Sequence, residues 1–183
     1  MASDSDEARE WGDRWERLWV PHRMAYLKGE SRPGHDQAGA ECPFCRAPDL
    51  ADSDGLVVAR GDLVYAVLNL YPYNSGHLLI CPYRHIPTYD LMTPDEIAEM
   101  GAFTQRAMRA LTACARAHGF NIGMNQGAVG GAGIAGHLHQ HVVPRWGGDT
   151  NFMPIIAGTK TMAQLLDETR DLLSEAWESP TIR

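Results

Sequence analysis

His137-Leu138-His139-Gln140-His141-Val142-Val143-Pro144-Arg145 carries a histidine at every second position, and three such side chains share a face only where the backbone is a β-strand. Successive same-face side chains on a strand stand roughly 6.5 to 7 Å apart. That is too far for all three to close on one metal ion, whose nitrogen ligands must lie within about 2.0 to 2.1 Å of it. The row suits catalysis better, because a neutral imidazole is both a nucleophile and a proton carrier near neutral pH. A solvated strand face or a tag remnant is the plain alternative. Against it stand the internal position, the β-branched pair and proline that follow, and the loop Gly127-Ala128-Val129-Gly130-Gly131-Ala132-Gly133 that precedes. Four glycines in those seven residues let backbone N–H groups line an anion nest without obstruction by Cβ atoms. Alone the loop reads as an ordinary turn; leading into a histidine row it suggests a phosphate site.

The chain has 183 residues, 44% of them hydrophobic, enough for one core and too few for two full domains. No apolar run approaches the roughly 20 residues of a membrane span. The opening MASDSDEARE lacks the basic and apolar regions of a signal peptide, so a cytoplasmic location is expected. A formal charge of −7, from 16 Lys plus Arg against 23 Asp plus Glu, argues against a nucleic acid polymer as partner while leaving small nucleotides open. The four cysteines, Cys42, Cys45, Cys81 and Cys114, are expected to stay reduced. Cys81, in an apolar strand, and Cys114, in a helix, read as buried small residues.

Residues 1–40 read as an N-terminal arm and loop. Trp11, Trp15, Leu18, Trp19, Met24 and Tyr26 give it a helical face broken by Pro21, and residues 28–40 are a linker rich in Gly, Ser, Pro and charge. The domain occupies 41–183. Leu56–Arg60 and Leu63–Asn69 read as strands joined by a two-residue hairpin at Gly61-Asp62, Tyr71–Gly76 as a turn, and His77–Pro82 as a third strand. Thr93-Pro94-Asp95-Glu96 signals a helix start with a capping box; that helix is expected to run to about His118 and end at Gly119. Phe120–Asn125 then leads into the glycine loop and the histidine strand. Met162, Leu165, Leu166, Leu172, Leu173 and Trp177 place a last amphipathic helix over 161–177. The order implies an α+β fold with an antiparallel sheet, one long helix and a C-terminal helix, not a Rossmann unit.

Taken in order, Cys42-Pro43-Phe44-Cys45, the strand pair ending at Asn69, YNSGHLLICPYRH over 73–85, the helix from 93, Asn125-Gln126-Gly127 and the histidine row through Trp146 resemble the histidine triad (HIT) family of nucleotidyl hydrolases and transferases. The likeness covers residues 42 to about 146. Residues 57–84 and 141–152 are similar to its actinobacterial branch, which includes diadenosine tetraphosphate phosphorylases. The resemblance implies a HIT-like sheet joined to a second across a homodimer, with the aromatic arm offering surface for a tetramer. It makes His139 the nucleophile that forms a nucleotidyl-histidine intermediate, its other nitrogen holding a proton against the carbonyl of His137. His141 would hydrogen-bond the phosphate or the leaving oxygen, and amides of Gly131, Ala132 and Gly133 would stabilise the transition state. Asn125 matches a phosphate-side amide, Asn69 a ribose contact, and His77 a further histidine that supports the row. Leu68, Leu70 and Phe44 would border the base. Asn69 and Asn125 also have a plain reading, since asparagine is common at strand ends. Relatives often carry Ser, Thr or Gln in the turn before the histidine strand, and residues 128–136 contain none, which leaves leaving-group preference open.

The Cys42/Cys45 pair reads either as a redox pair, for which the βαβ context is missing, or as half of a closed tetrahedral zinc site. The family supplies the other ligands from positions matched by His85 and His137, implying a structural zinc on Cys42, Cys45, His85 and His137 that orients His139 indirectly; no organic cofactor is implied. The expected activity is cleavage of dinucleoside polyphosphates by phosphorolysis or hydrolysis. A Hint-type hydrolase of nucleoside phosphoramidates or adenylyl conjugates would use the same residues. A nucleotide-binding protein without significant turnover is the alternative of another class, and a metallohydrolase is disfavoured by the spacing of the row. His22, His35 and His118 are assigned no role.

Overall fold

The structure is a computed structural model that describes residues 42–127, 129–149 and 165–179. The arm over 1–40, His22, His35, Ala128 and the first residues of the expected C-terminal helix lie outside them. Five strands, β1 (Val57–Arg60), β2 (Val64–Leu68), β3 (Leu78–Pro82), β4 (Gly119–Met124) and β5 (Gln140–Arg145), form one sheet in the order β1-β2-β3-β5-β4, antiparallel throughout. Among the described residues three α-helices accompany it: α1 (Pro43–Arg46), α2 (Pro94–Ala115) and α3 (Leu166–Glu178). The α+β expectation is met, and among the described residues no helix is long and apolar enough to cross a membrane.

Strand alternation sorts the sheet into two faces. Val64, Ala66, Leu68, Leu78, Ile80, Leu138 and Val142 join Met100, Phe103, Ala107 and Leu111 of α2 and Leu173 and Trp177 of α3 in the larger core. Val57, Tyr65, Val67, Leu79 and Cys81 face the other way, over Cys42, Phe44 and Ala47. Strands β2 and β3 are therefore buried along their whole length, which is why they read as continuous apolar runs.

Several boundaries differ from expectation. The hairpin turns one residue later: Gly61 N–H donates to the Val64 carbonyl, and the N–H groups of Asp62, Leu63 and Val64 all donate to the Glu99 carboxylate. A side chain on α2, out of reach of a local reading, organises that turn. Helix α2 begins as expected, with Thr93 and Glu96 closing a reciprocal capping box. It stops at Arg116, in the left-handed region at φ 51°, while Gly119 opens β4. Cys81 is buried and Cys114 is exposed, because Cys114 falls on the outer side of α2. Most consequential, β5 starts only at Gln140. Only His141 of the row lies in the ladder, opposite Leu79 and Gly123; His137 and His139 precede it. The alternation nevertheless persists, since Leu138 joins the larger core and the histidines project to the opposite face.

Candidate active site and metal centre

Each histidine of the row has its protonation pattern set by a neighbour that cannot change roles. His139 Nδ1 lies 2.8 Å from the His137 carbonyl oxygen, which can only accept, so Nδ1 carries the proton and Nε2 keeps its lone pair. Burial lowers the His139 pKa, opposed by that same backbone hydrogen bond, and the ring is therefore held neutral with a nucleophilic nitrogen available. Phe44 packs on it at 4.8 Å between centroids. Phe44 is itself anchored from below by Tyr65, whose hydroxyl donates to the Phe44 carbonyl at 2.6 Å.

A second chain of bonds fixes His141. The turn before β3 needs Gly76 at φ 74°, and it aims the Tyr73 N–H at His77 Nδ1, 3.0 Å away. Asn69 Nδ2 lies 3.2 Å from the same nitrogen. An atom receiving a peptide N–H must be an acceptor, so His77 carries its proton on Nε2 and donates it to His141 Nδ1 at 2.9 Å. His141 is thereby left as an Nε2–H donor. Its ring is 5.1 Å from that of His139 and stacks on Tyr73 at 5.6 Å. A lone-pair nitrogen and an N–H donor on adjacent rings are the two groups that displacement at phosphorus asks for.

His137 faces away from this pair. Its Nε2 donates to the Pro82 carbonyl at 2.9 Å, which leaves the Nδ1 lone pair pointing at Cys42 Sγ, 3.4 Å, and Cys45 Sγ, 3.5 Å. His85 Nδ1 stands 3.3 Å from Cys45 Sγ. One ligand atom from each of Cys42, Cys45, His85 and His137 lies within 4.8 Å of all the others. A tetrahedral ion with metal–sulfur bonds of about 2.3 Å and metal–nitrogen bonds of about 2.05 Å spaces its S···N edges by about 3.6 Å, so the donor set fits a metal ion. Burial pulls the His137 pKa down to about 4, keeping the lone pair open to a cation across neutral pH. The local structure explains how the four meet. Cys42 opens the one-turn helix α1, and Cys45 N–H returns to the Cys42 carbonyl at 3.1 Å. Arg84, beside His85, is clamped to Glu96 by bonds of 2.6 and 2.7 Å.

The remaining expected residues fall less uniformly. Asn125 is half-buried and lines a groove beside His141. Asn69 uses its carbonyl oxygen to receive the Tyr71 N–H at 2.9 Å, tying the turn together. In the glycine loop Gly131 takes φ 81°, but the Ala132 N–H is spent on the Gly127 carbonyl and does not point to a ligand. Leu68 belongs to the core under α2 rather than to a base pocket; its parity on β2 puts it on the far face of the sheet. Leu70 is 58% exposed. His118 is at the surface, accepting the Gly147 N–H. The sequence reading missed Tyr73, Tyr65 and the Pro82 carbonyl. Only Tyr73 carried a signal, as an aromatic four residues before a histidine in a tight turn.

Residues 51–148 match the HIT domain family. The chain belongs to the HIT domain family. It is 52% identical over 167 residues to the AP-4-A phosphorylase of Mycobacterium tuberculosis, covering 90% of this chain and 86% of that protein. Among solved structures it resembles a zinc-bound histidine triad family protein from Mycobacterium smegmatis, with a TM-score of 0.60, 27% identity and coverage of 74% of this chain and 92% of the other. A hypothetical histidine triad nucleotide-binding protein from Sulfolobus tokodaii gives a TM-score of 0.61 at 25% identity, covering 75% and 92%.

Proposed function

We propose that this HIT-family chain is a nucleotidyl-transfer enzyme that cleaves diadenosine tetraphosphate at an α-phosphate through a nucleotidyl-His139 intermediate, with inorganic phosphate as the acceptor. The carrying observation is the pair of fixed tautomers, a lone pair on His139 Nε2 beside an N–H on His141 Nε2. In the first step His139 Nε2 forms a bond to the α-phosphorus while the bond from that phosphorus to the bridging oxygen breaks, and ATP departs with His141 donating a hydrogen bond to its oxygen. In the second, a phosphate oxygen displaces His139 and yields ADP; water in its place would yield AMP. Asn125 and the amides at Gly131 and Gly133 are assigned to the phosphates, and Asn69 and His77 to the nucleotide's ribose side and the support of His141. The 52% identity to a protein named as a phosphorylase favours phosphate over water.

The Cys42, Cys45, His85 and His137 cluster is assigned a structural zinc, which would supply cross-linking rather than acid–base chemistry, all four positions being taken by side chains. Cys42 and Cys45 would hold the N-terminal segment to the sheet. His137 would bind through its ring while its carbonyl steadies His139. A homodimer belongs to the same reading, since β4 ends the sheet with one ladder partner among the described residues and exposes Ile122. The test is product identity from diadenosine tetraphosphate with and without phosphate, alongside His139→Ala. Phosphate-dependent ADP plus ATP is expected, with no products from the variant. AMP plus ATP regardless of phosphate would make the chain a hydrolase, and no turnover would overturn the assignment.

A further inference from the structure

The triad face of the sheet continues beyond His141. Partners directly opposite in an antiparallel ladder project to the same side, so Gly123 lies beside His141 and Asn121 beside Val143. With Tyr73, Ile122, Met124 and Asn125 they enclose a groove of about 250 Å³. Drug-sized ligands occupy pockets of about 300 to 1,000 Å³, so this one suits a single ring system and its immediate attachments. Ile122 and Met124 pair with Val142 and Gln140 and turn their side chains to the α2 face, so the groove takes its character from the Tyr73 ring, Val143 and the Asn121 amide, with Asn125 and His141 at its phosphate end. Asn121 has its carbonyl oxygen engaged by Arg145 Nη1 at 2.8 Å, so its NH₂ is the group it offers. No Lys or Arg lines the groove, so away from Asn125 and His141 it suits a nucleoside better than further phosphate.

Position then decides which nucleoside. In an in-line displacement the attacking and leaving groups lie on opposite sides of phosphorus, and the groove opens on the His141 side, that of the proton donor, not of His139. Resting on the proposed nucleotidyl transfer, we propose that the groove between Tyr73 and β4 holds the nucleoside of the leaving nucleotide, making the enzyme selective for dinucleotides over mononucleotide conjugates. Gly123 is the floor: a Cβ added there meets nothing within 4 Å, so a side chain at 123 would enter the groove without disturbing the protein. Pairing of the β4 edge with a second copy would leave this face open.

Equilibrium binding on the full chain separates the two halves of the substrate. The probes are AMP, which fills the transferred half alone, and a diadenosine tetraphosphate with methylene in place of the α–β bridging oxygens, which fills both and cannot react. Gly123→Val should raise the Kd of the dinucleotide analogue tenfold or more and that of AMP less than twofold, with Gly123→Ala intermediate. Equal weakening of both, or of neither, would overturn the inference. An unmodified protein that bound the analogue no better than AMP would overturn it while leaving nucleotidyl transfer standing. One that bound neither would remove the functional reading and this inference together.

Discussion

A peptide N–H can only donate and a peptide C=O can only accept, and at this site those fixed roles propagate into rings that could adopt either tautomer. The Tyr73 N–H makes His77 Nδ1 an acceptor, which makes His77 Nε2 a donor to His141, and the His137 carbonyl does the equivalent for His139. His77→Phe keeps the ring bulk of this fully buried side chain and deletes the donor, so His141 loses its preference between tautomers. The expected result is a fall in kcat of about 10²-fold, the lower end of what acid–base positioning supplies, with KM little moved; steady-state kinetics at pH 7 read both, and an unchanged kcat would sink the relay. The histidines were legible because their side-chain type and spacing carry the chemistry. Pro82 was not, because it acts through a backbone carbonyl that every residue possesses, and Tyr73 showed only its aromatic ring while its N–H fixes the tautomer. Leu68 was misplaced although strand parity was available: it pairs with Leu78 and shares the α2 side with it.

Elements meet the site through α2. Thr93 caps the helix, and Glu96 closes the box at the Thr93 N–H while gripping Arg84, the residue before His85. Replacing Thr93 by Ala should cost about 1 kcal/mol, read as a lower urea midpoint with an unchanged m-value. The Arg84 guanidinium holds the Glu96 carboxyl down at about 2, against an ordinary 4.5. A carboxylate lowered in the folded state adds stability that is whole above the unfolded pKa and drains away as pH falls toward the folded one. The urea midpoint should therefore decline between pH 4.5 and 2, and Glu96→Gln should flatten that part of the curve; parallel curves would show that the pair contributes nothing. The start of this helix was plain in the sequence because capping is local. Its end was not, since the left-handed Arg116 took the role expected of Gly119, and the hairpin was shifted by Glu99, 36 residues from Leu63.

Across the whole molecule, the proposed metal joins segments far apart in the chain: the Cys42–Cys45 turn, the loop after β3 and the approach to β5. The sheet and the packing of α2 and α3 lie on the other face and need no metal to cohere. Removing it should therefore loosen one face rather than unfold the chain, in contrast to small zinc domains whose binding energy is their folding energy. Chelation is expected to leave the far-UV circular dichroism nearly intact and to lower Tm by roughly 5 to 10 °C, as a loss of a few kcal/mol does in a domain of this size. Proteolysis should then cut first around Cys42–Asp49. Cys45→Ser should reproduce the Tm shift and reduce bound zinc from one per chain toward none. Because the His137 carbonyl remains tethered by the Leu138 N–H to Ile86 carbonyl bond beside it, kcat should fall less than it does for His77→Phe. A zinc content unaffected by Cys45→Ser would remove the metal from this account, and global unfolding on chelation would mean that the sheet depends on it after all.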